Sequence, residues 1–86
     1  MFGGEEQTVK LLVDNNLVGV ILDRFGKDVM LIPADEGHFT VNVDVHVSGQ
    51  FLGWIFSLGE QVKILSPEGV AEQMKREAER LMRQYG

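Results

Sequence analysis

From His38 to Val47 apolar and polar residues alternate without a break. Phe39, Val41, Val43, Val45 and Val47 fall on one side, and His38, Thr40, Asn42, Asp44 and His46 on the other. A period of two over this length predicts a strand with one face on a core and one facing water or a partner. The same period runs from Thr8 to Val13, where Val9, Leu11 and Val13 share a face. It returns at Val62 and Ile64, which alternate with Gln61 and Lys63. A short apolar run, Val29 to Ile32, ends at Pro33. Proline has no N–H to give to a ladder, so this run is expected at a sheet edge. Ala34 to Gly37 is of hairpin-turn length.

Between the strands the period lengthens. Leu17, Val18, Ile21, Leu22 and Phe25 recur at helical spacing after Asp14 or Asn15 as caps, and Gly26 stops them. Phe51, Trp54, Ile55 and Leu58 mark a second helix closed by Gly59. Leu52 and Phe56 lie off that stripe, so this helix is apolar around more than half its circumference and has a second surface to bury. Ser66-Pro67-Glu68 reads as a cap, a first-turn proline and a first-turn acid. The helix it opens carries Val70, Met74, Ala78, Leu81, Met82 and Tyr85 as its stripe. Glu72 with Arg76 and Glu79 with Arg83 are spaced for helical ion pairs.

The order is therefore strand, helix, strand, strand, helix, strand, then one more helix. It predicts an α+β fold, the ferredoxin-like βαββαβ sandwich, with both crossover helices on one face of a four-stranded antiparallel sheet. The strands at 8–13 and 38–47 are expected at its centre and the 29–32 strand at an edge. Residues 1–7 are expected to be a glycine-rich, acidic lead-in, and 8–86 a single domain.

Composition narrows the chemistry. The chain has 8 basic and 13 acidic residues, a net charge of −5, which opposes direct binding to duplex phosphates. Lys75, Arg76, Arg80 and Arg83 are interleaved with Glu72, Glu77 and Glu79, as on a solvated helix face. There is no cysteine, so neither disulfides nor a thiolate metal site arise. No apolar run approaches the roughly 20 residues that span a bilayer. A cytoplasmic protein is the expectation.

The polar row His38, Thr40, Asn42, Asp44 and His46 is the most site-like feature. Two readings stand: a solvated sheet face, or a hydrogen-bonding platform for a ligand or partner. Its histidines are eight residues apart, which is about 26 Å along a strand and too far to share a metal. Asp44 and His46 lie roughly 6–7 Å apart on that face, but no serine or cysteine nucleophile stands in an evident elbow beside them. The glycines match neither a phosphate loop nor a dinucleotide fingerprint. No cofactor or metal is expected. Trp54, at helical spacing with Phe51 and Leu58, reads as core rather than as a stacking platform.

Several of these residues together resemble a known family. Leu52, Trp54-Ile55, Ser57-Leu58-Gly59, Val62 and Ile64-Leu65-Ser66-Pro67, followed by a Glu/Arg-rich helix, are similar to the C-terminal extension (WCX) of WYL-domain, DeoR-like bacterial transcriptional regulators. Asp23-Arg24-Phe25-Gly26 is similar to the close of that family's first helix, and Phe2-Gly3-Gly4-Glu5 to the linker after its WYL domain. The resemblance implies a non-catalytic regulatory domain of ferredoxin-like fold that contributes to dimerisation and effector response. Its implied partners are a second copy and the WYL domain of the same protein. DNA is implied only through an N-terminal helix-turn-helix, which this chain lacks. Asn15-Asn16-Leu17-Val18-Gly19 stands where family members often carry basic residues, which argues against nucleic-acid contact by the first helix. On the residues alone, the surface expected to meet a partner is Leu52 with Phe56. Two further readings remain: a stand-alone small-molecule-binding module using loops near Gly26 and Gly49, and a small dimeric enzyme with His38 or His46 as acid/base.

Overall fold

The computed structural model describes residues 6–86. Of the expected lead-in at 1–7, residues 1–5, with the linker-like Phe2 to Glu5, lie outside the described residues. Strand β1 (Glu6–Asp14) begins two residues before the predicted Thr8 and takes up Glu6 and Gln7. A single 3-10 turn (Asn15–Leu17) leads into helix α1 (Val18–Phe25). Strands β2 (Leu31–Asp35) and β3 (His38–His46) follow, then helix α2 (Gly49–Ser57). Strand β4 (Val62–Ser66) and helix α3 (Glu68–Tyr85) complete the chain. The sheet order is β2-β3-β1-β4, with every neighbouring pair antiparallel. This is the predicted ferredoxin-like arrangement with its additional helix.

The two central strands pair without interruption from Glu6 opposite His46 to Asp14 opposite His38. That register sets Val9, Leu11 and Val13 beside Val43, Val41 and Phe39 on the inner face. The first three have no exposed surface, and the β3 residues have at most 6%. Ile21 from α1, Phe51, Leu52 and Ile55 from α2, and Val70 from α3 close the core over them. Trp54 spans the gap between α1 and α2. Its ring meets Phe25 edge-on at 5.5 Å, and the Arg24 guanidinium lies 5.1 Å from its centroid.

Several local expectations are revised. Strand β2 starts at Leu31 rather than Val29 and runs through Pro33 to Asp35. Pro33 is tolerated inside it because β2 is an edge strand, and a register shift between Pro33 and Asp35 relaxes the pairing around it. The turn is accordingly only Glu36-Gly37, two residues rather than four. Asp14 and Asn15 do not cap α1 through their side chains. Asn15 is instead spent on the β2–β3 turn: its backbone N–H donates to the Gly37 carbonyl at 2.9 Å and its side-chain amide to the Glu36 carbonyl at 3.0 Å.

At the start of α3, Ser66 pairs with Lys10 in the sheet, and Pro67 holds the capping position without a side-chain hydrogen bond. A cap hydroxyl is used one helix earlier, where Ser48 Oγ accepts from the Phe51 N–H at 3.3 Å. Along α3 the ion pair formed is Glu77 with Arg80 at 3.1 Å, and Arg80 also donates to Gln84 at 2.7 Å. The predicted Glu72–Arg76 and Glu79–Arg83 pairs are not among the contacts made.

Two variants test this account of the core. Leu11→Ala removes side-chain volume at the centre of the sheet and is expected to cost about 2–5 kcal/mol in urea unfolding. At Gly19 an added methyl group meets nothing within 4 Å, so Gly19→Ala is expected to stabilise α1 by about 0.5–1 kcal/mol. A destabilising Gly19→Ala would show that the helix needs that glycine.

Candidate functional site

The sheet presents its polar row on the face away from the helices, as the alternation in β3 requires. Much of that row is occupied with its neighbours. Thr8 lies opposite Asp44 across the β1–β3 ladder, and its hydroxyl donates to Asp44 Oδ1 at 2.5 Å. Thr40 Oγ1 donates to the Ile32 carbonyl at 3.5 Å, across to β2. Asn42 and His46 are exposed and have no side-chain hydrogen bond among the described residues. His38 and His46 stand at opposite ends of β3, and no group of three or more His, Asp or Glu among the described residues is arranged to hold a metal ion.

His38 sits instead in a clasp that joins three strands. Its Nε2 is 3.0 Å from Asp14 Oδ1 at the end of β1, and its Nδ1 is 2.8 Å from Asp35 Oδ1 at the end of β2. Asp35 Oδ1 also accepts the Gly37 N–H at 2.8 Å, which folds the turn over the carboxylate. An imidazolium donates from both nitrogens, so two aspartates favour its charged form. The hydrogen bond to Asp35 is the main cause raising the His38 pKa, with the Asp35 and Asp14 charges adding to it. The same bond, followed by the Gly37 N–H, lowers the pKa of Asp35. Both aspartates escape a reading of β3 alone. Asp14 reaches His38 only because the ladder sets the two opposite each other.

The helix layer offers a surface of the other kind. The predicted pair Leu52 and Phe56 is divided. Leu52 is 7% exposed and belongs to the core, whereas Phe56 is 66% exposed. Leu52 is drawn into the core cluster, against which Met74 of α3 also packs, and the course of α3 is not written in the α2 sequence. Between α2, β4 and α3 lies a groove of about 470 Å³ whose walls are Ile55, Phe56, Val62, Ile64, Ala71 and Met74. Phe56 and Met74 also border a smaller chamber of about 150 Å³, which continues between α2 and α3 past Leu52 to Leu81. The stripe predicted for α3 is buried only at Val70. Met74 and Leu81 are half-buried, and Met82 and Tyr85 are 75% and 80% exposed. The helix layer thus leaves Phe56 on α2 and Met82 and Tyr85 at the outer end of α3 open. Gly49 borders the smaller chamber.

The clasp has a pH signature. His38, with its pKa raised, adds stability that is full below its ordinary value of 6.5 and fades as pH rises through the folded value. Asp35, with its pKa lowered, adds stability that is present above its ordinary 3.8 and is lost as pH falls through its folded value. The urea midpoint of wild type should therefore exceed that of His38→Gln by more at pH 5.5 than at pH 8.5. An equal gap at both would show that the imidazolium charge is not what holds the turn.

No curated protein matches the chain. A protein-family model does, that of the WCX domain, over residues 5–82. The match takes in every strand and all but the last residues of α3, so this chain belongs to the WCX domain family.

Proposed function

We propose that this domain is a non-catalytic regulatory and oligomerisation module of a WYL-type, DeoR-like transcriptional regulator that works in the cytoplasm. It contributes to dimerisation and to the response to an effector, while an N-terminal helix-turn-helix elsewhere in the protein binds DNA. The observation that carries the interaction part is the exposed Phe56 beside an open apolar groove and the exposed outer stripe of α3. Large contiguous apolar surface on a small domain is a mark of association. The net charge of −5 is in keeping with DNA contact lying in another domain. Membership of the WCX family supports a regulatory C-terminal setting. The polar sheet face supports acid/base chemistry less well. His38, the better-placed histidine, is held between two aspartates and has no nucleophile beside it.

Burying a phenylalanine side chain is worth about 1.5–3 kcal/mol, so Phe56→Ser is expected to weaken self-association by roughly 10- to 100-fold. Light scattering over a concentration series reads this directly, with circular dichroism confirming an unchanged fold. A wild-type chain that stays monomeric at millimolar concentration would remove the dimerisation reading for this domain on its own.

A further inference from the structure

We propose that the groove between α2, β4 and α3 binds an elongated apolar carboxylate, with its tail between the helices and its head at the β4 end. The volume, about 470 Å³, is within the range of small-molecule sites, which are mostly apolar with a few polar groups to orient the ligand. Phe56 and Met74 border both this groove and the smaller chamber, so the apolar lining runs from β4 along α2 and α3, which suits a linear tail. Met74 borders both chambers, and a flexible thioether adapts to tails of different shape.

Charge fixes the direction. Lys63 from β4 and Lys75 from α3 both border the larger chamber, and neither is in an ion pair among the described residues. Glu60 lies on the same rim and leaves a net positive charge of one there, in a chain whose net charge is −5. At the other end Arg80 is already committed to Glu77 and Gln84. An anionic head is therefore favoured at Lys63 and Lys75, and the tail runs towards Leu52 and Leu81. This gives chemical content to the effector response proposed above and rests on that reading. Its measurement is ligand binding, read separately from oligomeric state.

The test is a titration of the 86-residue chain with decanoate, followed by backbone amide chemical shifts, beside 1-decanol and decylammonium as probes. Decanoate should give saturable shifts centred on Gly59, Ile64 and Met74. It should bind about five-fold more tightly than decanol, as two exposed cations allow. The exposed pair Lys63→Gln with Lys75→Gln should keep the fold and erase that preference. At Gly53, which borders the smaller chamber, an added Cβ meets nothing within 4 Å, so Gly53→Leu should fold and weaken decanoate by shortening the space. Equal binding of decanoate and decylammonium, or shifts that fall outside the groove, would overturn the site. Saturable binding in the groove with no change in oligomeric state would keep the site and remove its regulatory role.

Discussion

The rest of this domain depends on the pairing of β1 with β3. It is the longest ladder in the sheet, and its inner face brings Val9, Leu11 and Val13 against Phe39, Val41 and Val43. A slip of one residue would turn the three apolar residues of one strand away from those of the other, so burial and register enforce each other. At roughly 25 cal/mol per Å² of apolar surface withdrawn from water, such a layer supplies much of the driving force available to so small a chain. The helices are fastened to that layer through a few residues each: Ile21 from α1, Phe51, Leu52 and Ile55 from α2, and Val70 from α3.

What the sequence makes legible follows from what is local. The alternation in β3 is unbroken because each of its residues must choose between a dry face and a wet one, and that choice is visible residue by residue. Gly26 and Gly59 adopt positive φ where α1 and α2 end, and their position after each apolar stripe announces it. The edges of β2 are less legible, because Leu31 to Asp35 are strand only through their pairing with β3. Ser66 has the chemistry of a helix cap but is claimed by Lys10 in the ladder. Leu52 reads as surplus apolar surface on α2, yet the packing draws it into the core.

The candidate sites divide in the same way. The row on β3 is evident from spacing, yet its meaning is set by partners far away in sequence: Thr8 for Asp44, and Asp14 for His38. Those partners turn much of a possible recognition surface into internal fastening. The open groove, by contrast, is built from β4 and two helices that each look like ordinary amphipathic elements. No single stretch carries its signature, and only the packing brings Lys63 and Lys75 to one rim. What the sequence did disclose about it was Phe56, a large ring on the wrong side of its helix.

The proline in β2 has a bearing on how copies of this domain can meet. An edge strand is a template on which another chain can extend the sheet, and such growth has no natural end point. Pro33 offers no amide to an incoming strand, and the register shift beside it breaks the even spacing that a neighbour would need to match. Open-ended stacking through that side is thereby discouraged.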